Sequence, residues 1–412
     1  MHENELQTAR TKVILVGIDT GDYDAKVSID ELAELADTAE CEVIRSVIQA
    51  RPAPEAATCI GSGKLQEIAE LIEPLEIKML IFDTELTGMQ MRNISDLTNC
   101  KVIDRTMLIL DIFAGRARTA EGKVQVALAQ YRYRLTGIGS ALSRLGGGIG
   151  TRGPGETKLE TDRRHIRTRI TSLEHALREM EKHRNFLGSR RKKDGVLTAA
   201  IVGYTNAGKS TMFNMLTDAG VLTENKLFAT LDVTARALEL PDGRTILLSD
   251  TVGLIRRLPH HLVEAFRSTL EETAQADLIL HVLDASEPDI RERMQITQDL
   301  LNDLGCAEIP QIHVLNKADL VDLPKQNDAD TVWLSAKTGE GTDALLHAIS
   351  LALPQTAKRM TLCIPYAEGS FLQTLRSEGK IFSEEYTADG TRIDVMVDVR
   401  RQKQAEQYRT ES

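Results

Sequence analysis

The sequence predicts an α/β chain in three parts. A parallel α/β domain bearing a basic helical hairpin comes first, a phosphate-loop α/β domain follows, and a small α+β unit closes the chain. Three observations predict it. Apolar strand-like segments alternate with amphipathic helix-like ones through the first hundred residues and again beyond residue 195, the rhythm of strands covered by helices on both faces of a parallel sheet. Between those stretches the apolar spacing changes to threes and fours, the seam of two packed helices. Finally, "GYTNAGKST" (Gly203–Thr211) stands between the apolar "TAAIV" and the helical "TMFNMLTDA", the strand, glycine turn and helix start that a phosphate loop requires.

Taken in order, "KVILVGID" (Lys12–Asp19) is a strand, and "SIDELAELADTA" (Ser28–Ala39) a helix with Ser28 as N-cap and Glu31 three residues on. "EVIRSVIQ" and "KMLIFD" are further strands, "KLQEIAELIE" and "TGMQMRNISDL" further helices, and "KVID" with "RTMLILDIFAGRA" closes a domain spanning 1–115. "GSGK" (Gly61–Lys64) reads as a turn into a helix. A phosphate loop ending at Lys64 would need Gly at 58 and Ser or Thr at 65, where Thr58 and Leu65 stand.

The hairpin covers 116–193. Val124, Leu128, Tyr131, Leu135, Ile138, Leu142 and Leu145 mark one arm, and Leu159, Ile166, Ile170, Leu173, Leu177 and Met180 the other. Gly137 and Gly139 are expected to weaken the first arm. Arg132, Arg134, Arg144, Arg163, Arg164, Arg167 and Arg169 are expected on the outer faces, and "GGGIGTRGPGE" at the tip. Gly148, Gly150 and Gly153 match G-x-G-x-x-G through glycine content alone, because a helical seam precedes them where a dinucleotide fold needs a strand. "SRRKKDG" (Ser189–Gly195) breaks to the domain at 194–356. In 357–412, "MTLCIPY" is a strand, "SFLQTLRSEG" a helix, and the remainder a hairpin turning at Asp389–Gly390.

The net charge of -11 would argue against a nucleic-acid partner if it were spread evenly, but residues 116–193 hold 19 Lys and Arg against 7 Asp and Glu. Such a local concentration suits a polyanion. Five scattered cysteines without a C-x-x-C pair argue against disulfides or zinc and for a reducing cytoplasm. The polar start and the absence of a long apolar run point to no leader and no stable membrane insertion, though peripheral association stays open.

The phosphate loop carries the chemistry. Backbone N–H groups of Gly203, Tyr204, Thr205, Asn206, Ala207 and Gly208 can turn toward phosphate oxygens, Lys209 adds a point charge, and Ser210, before Thr211, offers a hydroxyl to Mg²⁺. Downstream, "LLSDTVG" ends a strand with Asp250, placed to hold Mg²⁺, then Thr251, Val252 and Gly253, whose N–H can meet the γ-phosphate. "VLNKAD" supplies Asn316, Lys317 and Asp319. A carboxylate there accepts from both guanine donors, which adenine does not present, so GTP and GDP are the expected nucleotides. "LSAK" adds Ser335, Ala336 and Lys337. Between the motifs, Thr230 is the favoured switch residue for Mg²⁺ and the γ-phosphate, with Thr234 the rival. Leu254 occupies the position where Ras-like GTPases carry the water-orienting Gln, which predicts slow intrinsic hydrolysis stimulated by a partner.

These residues resemble the HflX family of translation-associated GTPases. The resemblance rests on "FDTELTGMQMRNI", "DRTMLILDIFAGRARTAEGKVQVALAQ", "GGGIGTRGPGETKLETDRR", "GYTNAGKST", "LFATLDVTAR", "DTVGLIRRLPHHLVEAFRSTLEE" and "NKAD". The chain departs from the family pattern at Val233, where Pro is usual, and at Leu254, where Phe is usual. The resemblance implies a P-loop, Ras-like GTPase domain and a cytoplasmic protein that binds the large ribosomal subunit and helps dissociate stalled or idle ribosomes. Arg144, Arg152, Arg163 and Arg164 would then contact ribosomal RNA, DNA is not expected as a partner, and a monomer is the expected state. The alternative is a GTP-dependent interaction switch whose hairpin docks to a protein or an acidic membrane surface. A further possibility is a separate nucleotide on the N-terminal domain, for which no complete phosphate motif stands there.

Overall fold

The structure is a computed structural model that describes residues 10–145, 154–193, 195–217, 227–228, 234–257, 273–322, 325–328, 330–355 and 357–410. The chain divides into two compact units. The first comprises Met1–Arg184, Leu222–Asp232 and Val252–Leu270; the second comprises Asn185–Val221, Val233–Thr251 and Glu271–Ser412.

In the first unit β1 (Thr11–Asp19), α1 (Ala25–Thr38), β2 (Cys41–Ala50), α2 (Ser62–Ile72), β3 (Met79–Phe82), α3 (Gly88–Thr98), β4 (Lys101–Asp104) and α4 (Arg105–Arg116) alternate as expected. Their strands form a parallel sheet in the order β2-β1-β3-β4. Successive residues of β1 point to opposite faces. Val13 and Leu15 enter the core with α1 and α4, while Ile14, Val16 and Ile18 enter the one with α2 and α3. Burial on both faces is why this strand is continuously apolar.

One cap differs from expectation. Helix α1 begins at Ala25, and the Asp24 carboxylate accepts from the backbone N–H groups of Lys26 and Val27. Ser28 lies inside the first turn, buried, and donates instead to Asp83 Oδ2 at 2.6 Å. Asp24 offers a carboxylate one turn earlier, and Ala25 lets the helix extend back to it.

Helix α5 (Ala120–Leu145) runs continuously through Gly137 and Gly139, and α6 (Pro154–Lys193) is the second arm. Val126 and Ala129 join the first unit's core, and Leu128 and Leu173 are buried. Arg132 is not simply an outward charge: it pairs with Glu174 at 2.9 Å, and Arg184 with Glu121 at 2.5 Å, each joining the two arms. The tip at 146–153, including Arg152, lies outside the described residues, as does the Arg144 side chain.

The second unit contains β5 (Thr198–Gly203), α7 (Lys209–Thr217), β6 (Thr234–Glu239), β7 (Thr245–Asp250), β8 (Leu278–Asp284), α8 (Ile290–Asp303), β9 (Gln311–Asn316), β10 (Thr331–Trp333) and α9 (Thr342–Ala352). Among the described residues the strands run β10-β9-β8-β5-β7-β6, parallel except for β6. An antiparallel sheet in the order β11-β13-β12 follows, from β11 (Ala357–Ile364), β12 (Ile381–Tyr386) and β13 (Thr391–Asp398), with α10 (Gly369–Glu378) and α11 (Val399–Ala405). Thr387 N–H donates to Gly390 O at 2.8 Å, so Ala388 and Asp389 are the turn's central residues, one position before the expected pair. The five cysteines are free. Among the described residues no helix is long and apolar enough to cross a membrane.

Candidate active site

The site is built where β5 gives way to α7. Tyr204, buried at the strand's end, lies under the Arg293 guanidinium of α8, 5.0 Å from its ring centroid. Arg293 is itself held by Glu287 and Asp289, each at 3.2 Å. Gly208, at φ +90, passes so close to Asn316 that a Cβ there would lie 2.2 Å from its Nδ2. That amide explains the proximity: Asn316 Nδ2 donates to Ala207 O at 2.8 Å, and its Oδ1 accepts from Ala336 N–H at 3.0 Å. One buried side chain thus ties together the glycine loop, the end of β9 and the segment after β10.

Thr205 and Lys209 are buried in this loop, whereas Asn206, in the left-handed region, and Thr211 are exposed. Lys209 Nζ donates to Tyr204 O at 2.7 Å. Burial pushes its ammonium down to about 8, opposed by the Asp250 carboxylate. Ser210 Oγ donates to Asp250 Oδ2 at 2.7 Å, and Thr251 Oγ1 to Ile201 O at 2.6 Å. The Ser210–Asp250 oxygen pair is the hard donor set that Mg²⁺ takes.

On the base side, Asp319 Oδ1 accepts from Ser335 Oγ at 2.6 Å, which holds its carboxyl below the usual range. Lys317, at φ 60, reaches Asp284 Oδ2 at 2.6 Å, and Lys337 is exposed. The second unit therefore brings together Gly203–Thr211, Asp250, Asn316, Asp319 and Ser335–Ala336. Val252 and Gly253 belong to the first unit, where Val252 joins the core. Thr230 lies outside the described residues; Thr234 opens β6, opposite Asp250 in register.

Sequence reasoning missed Asp284 and Arg293. Asp284 had a signal, since a carboxylate ending β8 stands beside Asn316 across the strand pair. Arg293 had none, because a charged helix residue looks like a solvated one.

Three family models match the chain: "GTP-binding GTPase N-terminal" over residues 26–114, "GTP-binding GTPase Middle Region" over 116–191 and "50S ribosome-binding GTPase" over 198–317. GTPase HflX of Caldanaerobacter subterraneus subsp. tengcongensis is 49% identical, over 95% of this chain and 92% of its own. The chain belongs to the HflX family of GTPases. GTPase HflX of Escherichia coli K12 is 43% identical, over 88% of each chain. Among solved structures, the GDP complex of SsGBP superposes with a TM-score of 0.50 at 25% identity, over 84% of this chain and 99% of that one. Like other HflX GTPases, the chain binds GTP and GDP and hydrolyses GTP, with Mg²⁺ the usual cation of such sites.

Proposed function

We propose that this GTPase associates with the large ribosomal subunit and helps dissociate or rescue stalled or idle ribosomes, GTP favouring engagement and hydrolysis favouring release. The observation that carries the reading is the charge of the helical pair. The stretch 116–193 holds 19 basic residues against 7 acidic ones in an otherwise acidic chain, and on α6 Arg164 is exposed and Arg163 half-buried. RNA phosphates take such charge. The "50S ribosome-binding GTPase" description of the matching family supports it. Arg144, Arg152, Arg163 and Arg164 are the proposed RNA contacts.

In this reading the loop from Gly203 to Thr211 holds the phosphates, with Lys209 neutralising the β and γ groups. Gly253 N–H and Thr230 meet the γ-phosphate, and Ser210, Thr230 and Asp250 hold Mg²⁺, which would offset charge on the transferring group. Asn316, Lys317, Asp319 and Ser335–Lys337 select guanine. Leu254 cannot orient water, so hydrolysis is slow until the ribosome orders the site. The proposed working parts are 1–115, 116–193, 194–356 and 357–412, in a cytoplasmic monomer that binds neither DNA nor a membrane stably.

The test is sedimentation of ribosomes with the purified chain under GTP, GDP and a non-hydrolysable analogue. Subunit peaks that require a triphosphate support the proposal; unchanged profiles without co-migration sink it. If Arg163→Glu with Arg164→Glu leaves co-sedimentation intact, the hairpin serves a protein or an acidic membrane surface instead.

A further inference from the structure

β6 and β7 pair over their full length, Thr234 opposite Asp250 and Glu239 opposite Thr245. Six paired residues span roughly 20 Å, so the Asp250 end and the far turn move as one rod. Ser210 ties the Asp250 end. The far turn is closed by two backbone bonds, Leu240 N–H to Arg244 O at 2.8 Å and Gly243 N–H to Leu240 O at 2.9 Å, and by Arg244 N–H to Asp242 Oδ1 at 3.0 Å. Yet it is anchored three further ways.

Arg244, charged but only 7% exposed, donates from Nη1 to Pro354 O at 2.6 Å and from Nη2 to Ser350 O in the last turn of α9. Its Nε and Nη2 also reach Asp242 Oδ2 at 2.8 and 2.6 Å. Glu239 forms an ion pair with Lys380, just before β12. Gly243, at φ +89, lies against the C-terminal sheet, where a Cβ would stand 2.8 Å from Phe382 Cζ and 3.4 Å from Met396 Cγ. Burying a guanidinium is expensive unless its donors are met, and a turn already closed by hydrogen bonds of its own does not need one.

We propose that Arg244, together with the C-terminal sheet at Phe382 and Lys380, fixes the register of β6–β7 against β5 and is thereby a positioning residue for Asp250. Asp250 stands opposite Ile201 of β5. The smallest slip that keeps each side chain on its face is two residues, which would carry the carboxylate about 7 Å from Ser210. The C-terminal unit thus gains a role in the reaction without touching the nucleotide. This rests on the reading of Asp250 as a holder of Mg²⁺.

The test measures release of a fluorescent GDP and the Mg²⁺ concentration for half-maximal hydrolysis in the full chain, with thermal midpoints alongside. Arg244→Ala and Phe382→Ala should release GDP on the order of fivefold faster and require more Mg²⁺, with Arg244→Lys intermediate. Lys380→Glu should act in the same direction, and Glu239→Lys combined with it should restore the parent rate. Where Arg244→Ala does not fold, Phe382→Ala and Lys380→Glu decide, because both side chains are partly exposed. Lowered midpoints with unchanged GDP release and Mg²⁺ requirement would overturn the proposal. Asp250→Asn with an unchanged Mg²⁺ requirement would instead overturn the role of Asp250 itself.

Discussion

Two buried residues of the second unit make opposite pH predictions. Lys209, pushed down to about 8 by burial, must be charged to meet phosphates. Below that pH the proton is already present; above it, nucleotide binding must take one up. Nucleotide affinity, titrated by calorimetry from pH 7 to 9.5, should therefore hold to about 8 and then fall, by up to about tenfold per unit. His281 is fully buried, neither ring nitrogen has a hydrogen-bond partner among the described residues, and the His313 ring packs edge-on at 5.4 Å. Burial pushes its imidazole down to about 3, whereas an unfolded histidine titrates near about 6.5. The unfolded chain binds the extra proton between those values, so acid favours unfolding across that window. Urea melts of His281→Leu should lose less stability between pH 6.5 and 4 than the parent, by up to about 1.4 kcal/mol per unit. Equal losses in both proteins would mean that His281 plays no part in acid sensitivity.

At the scale of elements, the first arm of the hairpin is fastened by a carboxylate at the end of β4. Asp104, 0% exposed, caps α4 through Met107 N–H at 2.9 Å and accepts Leu86 N–H at 3.0 Å. It also takes a short hydrogen bond from Tyr133 Oη on α5. Tyr133→Phe removes one donor and should cost about 1–3 kcal/mol in denaturant unfolding; no change would show that the other two donors suffice. Elements were the most legible scale in the sequence. Continuous apolar runs marked β1 and β5, and spacings of three and four marked α5 and α6, because burial imposes those periods directly. Caps were less legible. Asp24 and Ser28 can each accept a backbone N–H, and only the buried position of Asp83 shows why Ser28 turns elsewhere. Arg132 was misread for a related reason, since a seam's edge takes charge whenever the opposite arm offers a Glu.

At the scale of the whole molecule, the charge asymmetry predicts steep salt dependence. If the basic pair meets RNA phosphates, ribosome affinity should fall linearly on a log–log plot against salt, with a slope near the number of phosphates engaged; a flat plot from co-sedimentation would speak for apolar docking. The nucleotide pocket was legible because each motif sits at a strand end and phosphate and guanine chemistry dictate its residue types. The unit to which each motif segment belongs was not. "KLF" and "DTVGLI" read as parts of the GTPase motifs, and nothing in their spacing reveals which core their apolar residues join. Leu227, Phe228, Val252 and Ile255 join the core of the first unit, Phe228 meeting Phe113 edge-on at 4.6 Å.

That membership bears on the order in which the protein can be made. Translation delivers the four strands of the first sheet by Asp104, but the last apolar pieces of their core are synthesised only at Val252 and Ile255. At ordinary elongation rates the nascent chain spends roughly ten to thirty seconds between those points. During that interval the core shared with α1, α4 and α5 lacks Leu227, Phe228, Val252 and Ile255, so it closes fully only after the GTPase motifs have left the ribosome.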